Sequence, residues 1–186
     1  MNSFNVTDLP LAGLKLVNRK RLGDQRGFLS RLFCAEELAA VGWLKPIAQI
    51  NHTYTEKKGT VRGLHFQRPP RSEMKLVTCI RGEVWDVAVD VRVDSPTFLQ
   101  WHAECLSANN GNALLIPEGF AHGFQAITDD VELIYCHSAA YCVEAEAGLN
   151  ALDPKLAIPW KMAITELSER DKNHPFIETG FTGVLL

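Results

Sequence analysis

The sequence predicts an all-β protein, a sandwich or barrel of many short strands. Three observations carry that expectation. Apolar runs rich in β-branched and aromatic residues follow one another from Lys75 to His137. Turn-forming residues stand between them, at Gly82, Pro96, Gly111, Pro117 and Gly119. Helical signals are few, and short strands at close spacing belong to sandwiches and barrels.

Taken in order, a strand region opens the chain around Leu16. Cys34 to Val41 reads as a short helix ended by Gly42. His65 lies in a short apolar strand after Arg62-Gly63, and Lys75 to Ile80 forms a strand closed by Arg81-Gly82. Glu83 to Val91 is a strand with two sets that compete for the interior, the polar Asp86 and Asp90 or the apolar Trp85, Val87 and Val89. Phe98 to Leu106, Ala113 to Ile116, Phe120 to Ile127 and Val131 to His137 complete the strands. Ser168 is placed to cap a turn that includes Asp171. The expected organisation is one domain over residues 1–186, with short helices near the N-terminal third and the C-terminus.

The bulk numbers bound the function. A chain of 186 residues with 46% hydrophobic and 22% charged residues builds a core of useful size. A net charge of -3 excludes a nucleic-acid scaffold but leaves room for a local basic pocket. No apolar stretch spans a bilayer and no signal-peptide pattern opens the sequence. Five cysteines without a CxxC suggest neither a disulfide framework nor a zinc knuckle. Reduced thiols in a cytoplasmic protein are the expectation.

Chemistry concentrates in two stretches, Gly59 to Pro70 and Pro117 to Phe124. Each carries one histidine among apolar and turn residues, and the first adds Arg62 and Arg68. Imidazole near guanidinium suits a pocket that holds an anion and moves protons. His65 fits a general base if a carboxylate orients it, and Asp171 is the candidate partner. Taken alone, His65 is more often a structural histidine satisfied by a backbone carbonyl, and Asp171 a helix-start residue. Lys75 reads either as a surface strand-end lysine or as an inward ammonium that stabilises negative charge on an oxygen. Tyr135, in an otherwise apolar strand, reads as a core tyrosine or a general acid. Arg62 and Arg26 are surface charges or phosphate ligands. The spacing Pro117-x-Gly119-x-x-His122 is similar to the second metal motif of cupin barrels, but the first motif has Gln67 where a second histidine is needed. Two histidines are a thin ligand set, so no metal is expected and His122 reads as a donor to substrate.

These residues form a longer pattern. It includes Asp24-x-Arg26-Gly27, Gln49-x-Asn51-x-Thr53, Val61 to Gln67, Lys75-Leu76-Val77, Gly82-x-Val84-x-Asp86 to Asp90, Ser95 to Phe98, Ile116 to Phe124 and Asp153-Pro154. The chain resembles the dTDP-4-dehydrorhamnose 3,5-epimerase family from about Leu16 to Asp171. The resemblance implies a cupin-type jelly-roll β-barrel, a homodimer, and no metal or organic cofactor. It implies a nucleotide-sugar substrate, a nucleotide-diphospho-4-keto-6-deoxy sugar inverted at carbon 3, carbon 5 or both. It implies that His65 is the base, Asp171 its partner, Tyr135 the acid and Lys75 the enolate-stabilising group. It assigns Arg62 and His122 to diphosphate or sugar, Tyr141 to the nucleotide base, and Gln49, Asn51 and Arg26 to further substrate contacts, with Arg26 reaching across the dimer.

The chain departs from the family pattern at four places. Arg31 stands for a glutamate near the nucleotide, Glu73 for a glutamine, Val143 for the proline after Tyr141, and Leu152 for an aromatic. Arg31 and the Tyr141 loop fall where the resemblance puts base recognition, so CDP- or GDP-linked sugars stay open beside dTDP. A metal-dependent cupin enzyme and a non-catalytic sugar-nucleotide barrel are the competing classes.

Overall fold

The computed structural model describes residues 2–178 and 181–186. The antiparallel pair β1 (Phe4–Asp8) and β2 (Lys15–Arg19) comes first, followed by an exposed hairpin of β3 (Arg21–Asp24) and β4 (Gly27–Ser30). Helix α1 (Ala35–Ala39) is shorter than the expected Cys34 to Val41. Cys34 is its N-cap and makes no side-chain capping bond, and Gly42 at φ +113 turns the chain away. Eight strands follow: β5 (Gln49–Thr55), β6 (Val61–Gln67), β7 (Lys75–Arg81), β8 (Glu83–Asp90), β9 (Trp101–Ser107), β10 (Asn112–Ile116), β11 (Phe120–Ala126) and β12 (Val131–His137). A short β13 (Glu146–Gly148) and a one-turn α2 (Glu169–Lys172) complete the described elements.

The order of the strands is that of a jelly roll. One sheet contains β10-β7-β12-β5 and the other β6-β11-β8-β9, with antiparallel pairing throughout. The chain thus crosses from sheet to sheet, with β8 and β9 the only consecutive strands of the eight that share one. Strands β1 and β2 widen the first sheet beyond β10, and β13 widens the second beyond β6. Between the sheets lies an apolar cluster that includes Val77, Val84, Ala88, Leu114, Phe124 and Leu133. No helix of the described residues is long and apolar enough to cross a membrane.

Strand β8 shows why its sequence was ambiguous. Val84 and Ala88 join the cluster between the sheets, and Asp86 lies on the same face by alternation. Trp85, Val87 and Val89 face the other way, into a second cluster closed by Leu149, Leu156, Ile158 and Ile177 of the C-terminal segment. Both faces are buried, so neither reads as solvent-facing. The expected Phe98 to Leu106 strand begins only at Trp101. Phe98 and Gln100 donate to Ser95 and Thr97 in a turn, and Leu99 takes a positive φ of 60° while donating to Asp90.

One irregularity positions the site. Between β6 and β11 the register runs His122 opposite His65 and Phe124 opposite Arg62, so β6 spends three steps where β11 spends two. This β-bulge turns Arg62 and His65 toward the same cavity, which strict alternation forbids for residues three apart. Gly63, at φ +116, lies against the backbone of Gly123. A Cβ there would sit 2.5 Å from the Gly123 Cα and 2.7 Å from the His122 carbonyl oxygen. Those neighbours are backbone and cannot rotate aside. Gly63→Ala is therefore expected to lose about 3 kcal/mol or more of unfolding free energy. Urea denaturation measures this, and a loss below about 1 kcal/mol would contradict the packing described.

Candidate active site

A cavity of about 1240 Å³ opens between the sheets and is lined by residues from β5, β6, β7, β11 and β12 and from the C-terminal segment. Of the residues singled out in the sequence, it gathers His65, Tyr135, Asp171, Lys75, Arg62, His122, Gln49, Asn51 and Tyr141. Arg26 is not among them. It sits in the exposed β3–β4 hairpin, paired with Asp24. Arg31 is also outside, 2.8 Å from both Ser3 Oγ and Glu37 Oε1. Within their own chain, neither arginine reaches the cavity.

On one side stands an imidazole–carboxylate pair. His65 Nε2 is 2.8 Å from Asp171 Oδ1, and the other carboxylate oxygen accepts the Gly63 N–H at 3.1 Å. Ser168 caps α2 by accepting the Asp171 N–H, as the sequence suggested, and so holds that residue in place. Asp171 is almost fully buried. Burial pushes its carboxyl up, but the hydrogen bond and charge of His65, the Gly63 N–H and Arg170 outweigh it and bring the pKa down to about 2. In the neutral ring, a carboxylate at this distance selects the tautomer with the proton on Nε2 and the lone pair on Nδ1, and it stabilises the imidazolium that forms when Nδ1 takes a proton.

Two residues the sequence reading did not single out complete this side. Arg170 Nη2 lies 3.1 Å from His65 Nε2, and its Nη1 donates to Glu146 Oε1 at 2.8 Å. Since Nε2 already donates to Asp171, the guanidinium acts there as a positive charge beside the ring. The His174 ring meets His65 edge-on, with centroids 5.4 Å apart. It fits because residue 148 is glycine, where a Cβ would come within 2.4 Å of the His174 ring. Burial, followed by the nearby His65, lowers the His174 pKa.

The other side is built on Tyr135, which is buried within the strand. Burial, reinforced by the Asp86 carboxylate, raises its phenol well above the ordinary tyrosine value, so it carries its proton at neutral pH. The His122 ring stands edge-on to it at 5.8 Å and is itself bonded through Nε2 to both oxygens of Asp86, at 3.0 and 2.9 Å. Burial raises the Asp86 carboxyl, with His122 and Lys75 opposing. Asp86 is the acidic residue that β8 turns toward the space between the sheets, among apolar neighbours.

Lys75 is buried between these groups. Its Nζ donates to the His65 carbonyl at 3.0 Å and pairs with Glu73 at 3.1 Å. Glu73 also accepts from Gln67, whose Oε1 receives the Cys142 N–H. At the rim, Arg62 donates to Thr55 Oγ1 and to the Tyr54 carbonyl. Gln49 donates to Asn51 and accepts the Tyr141 N–H, while the Tyr141 hydroxyl donates to Glu146. The aromatic side chain of Tyr141 is exposed over the opening.

The positions that carry metal in cupins are otherwise engaged, His65 by Asp171, Gln67 by Glu73 and His122 by Asp86. Among the described residues, His65, Asp171 and His174 bring ligand atoms within 4.8 Å of one another. Two of these form the dyad, and the Arg170 guanidinium beside them opposes a second cation.

A jelly roll whose cavity gathers His65, His122, Lys75, Tyr135 and Asp171 is a cupin-like fold with a candidate active site, and the comparisons with known proteins place the chain among the epimerases of sugar nucleotides. A family model described as dTDP-4-dehydrorhamnose 3,5-epimerase matches residues 8–179. The dTDP-4-dehydrorhamnose 3,5-epimerase of Sinorhizobium fredii is 42% identical over 172 residues, covering 90% of this chain and 86% of that one. The dTDP-4-dehydrorhamnose 3-epimerase of Streptomyces niveus is 37% identical, covering 89% of this chain and 80% of that one. The solved structure of the dTDP-6-deoxy-D-glucose-3,5-epimerase of Legionella pneumophila, in complex with dTDP-4-keto-L-rhamnose, superposes with a TM-score of 0.92 at 34% identity and covers 98% of each chain. The chain belongs to the dTDP-4-dehydrorhamnose 3,5-epimerase family.

The lowered Asp171 carboxyl has a pH signature. Its stabilising contribution is complete above the ordinary value of 3.8 and is lost as pH falls through about 2. Melting temperature followed over that window should fall more steeply for the wild type than for Asp171→Asn. Parallel curves would remove the carboxylate from the account.

Proposed function

We propose that this protein epimerises a dTDP-4-keto-6-deoxy sugar, with His65 as base and Tyr135 as acid. The observation that carries the reading is the pairing of an imidazole bonded to a buried carboxylate with a phenol held protonated, both lining one cavity. The ketone at carbon 4 acidifies the hydrogens on carbons 3 and 5. His65 takes one of them, and the electron pair moves onto the ketone oxygen. Lys75 stabilises the resulting enolate, an electrostatic contribution of about 3 kcal/mol in comparable sites. Tyr135 then delivers a proton to the opposite face. A single group returning its own proton would only restore the starting centre, so inversion needs both. The imidazolium and phenolate exchange with solvent to close the cycle. General acid-base help of this kind contributes about a hundred- to ten-thousand-fold.

Arg62 and His122 hold the diphosphate and sugar in this reading, and Tyr141, Gln49 and Asn51 the nucleoside end. Two copies of the chain form the working unit. The support is an exposed apolar hairpin, with Leu22 at 69%, Phe28 at 60% and Leu29 at 66% exposure, together with the free edge of β5 that carries exposed Ile50 and Tyr54. Such a hairpin, laid across the partner, brings Arg26 to the partner's cavity.

Inversion at a single carbon is a second reading, favoured by the likeness to a 3-epimerase. Deuterium uptake from D₂O into dTDP-4-keto-6-deoxyglucose, followed by NMR, tests both readings. Label at carbons 3 and 5 shows that both carbons react, label at one carbon that only one does, and no label at either refutes the function. His65→Ala is expected to lower exchange at least a hundredfold. Wash-in at the normal rate would contradict the base assignment. Tyr135→Phe is expected to lose inverted product more severely than exchange, and full epimerisation by that variant would take the phenol out of the mechanism.

A further inference from the structure

We propose that His137 is a specificity-determining residue that hydrogen-bonds a ring hydroxyl of the bound sugar. The inference rests on the nucleotide-sugar reading above and extends it to a side chain which that reading leaves unused.

The position follows from the sheet. Strand β12 lies between β5 and β7, and His137 is opposite Gln49 on one side and Lys75 on the other. Two residues along, Tyr135 shares its face. Both rings line the cavity, nearly parallel at 20° with centroids 6.0 Å apart. His137 is therefore flanked by the proposed acid, the proposed enolate-stabilising lysine and a proposed substrate contact.

Its chemistry is unlike that of its neighbours. Nε2 is buried and finds no hydrogen-bond partner among the described residues. A ring needed only to pack against Tyr135 would carry no polar atom, because a buried nitrogen without a partner is costly. Burial, with Lys75 and His122 adding their charge, lowers the imidazole pKa to about 4, so the ring is neutral at working pH. A neutral imidazole offers one N–H donor and one lone pair. Lys75 can only donate, which suits a ketone oxygen. A hydroxyl both donates and accepts, and the lone pair of His137 recognises the hydrogen that a ketone lacks. The row Lys75–His137 thus distinguishes the carbonyl of the sugar from a neighbouring hydroxyl.

The test compares His137→Phe, which keeps a stacked ring and removes both nitrogens, with His137→Gln, which restores an amide. The probes are dTDP and dTDP-glucose, with dissociation constants measured by calorimetry. His137→Phe is expected to weaken dTDP-glucose about tenfold while dTDP stays within about twofold, and His137→Gln to recover most of the loss. Unchanged affinity for dTDP-glucose overturns the proposal, as does an equal loss for both probes, which marks a structural role. A wild-type protein that binds neither probe refutes the nucleotide-sugar reading itself, and the His137 contact falls with it.

Discussion

The site depends on the Asp171 carboxylate. One oxygen holds His65 and the other holds the Gly63 N–H, so a single side chain from the C-terminal segment grips strand β6 at the base and at the bulge beside it. Both contacts are charge-assisted, and the carboxylate is buried where such bonds are strong. The orientation of the His65 ring and the docking of α2 against β6 both run through this ion. The C-terminal segment belongs to the candidate site because it supplies that ion, although it forms little regular structure of its own.

Two histidine–carboxylate pairs face the cavity, and they differ in exposure. His65 is partly open to the cavity while its carboxylate is lowered by its partners, a combination suited to taking and releasing protons. His122 and Asp86 are both buried, and burial raises the Asp86 carboxyl. That second pair stands against Tyr135 and contributes negative potential that keeps the phenol protonated. The same two residue types therefore differ in electrostatic character, and burial decides which carboxyl is lowered and which is raised.

Much of the fold was legible in the sequence. The strands from Lys75 to His137 announce themselves through β-branched residues and the turns between them, and five of the six expected strands keep both ends to within one residue. The exception, Phe98 to Gln100, is apolar enough to suggest a strand but is turned by hydrogen bonds to Ser95 and Thr97. Of the site, His65, Asp171, Tyr135, Lys75 and His122 were identifiable because polar residues within apolar strands or at a helix cap stand out. Arg170 and His174 were not, because neither stands in an apolar strand and nothing local distinguishes these two. His137 passed as the end of a strand. Arg26 and Arg31 lie outside the cavity of their own chain, since the hairpin that carries Arg26 packs no core there.

By itself, the sequence determined the all-β class and the family pattern and nominated the candidate acid-base residues, because alternation, turn residues and motif spacing are local properties. Only the tertiary structure decided which face of β8 turns inward, that Arg62 and His65 share a cavity despite their spacing, and which charges keep Asp171 ionised and Tyr135 protonated. Those outcomes depend on which distant segments bury a residue and on the register between strands. Burial and register are set by contacts between residues far apart in the chain.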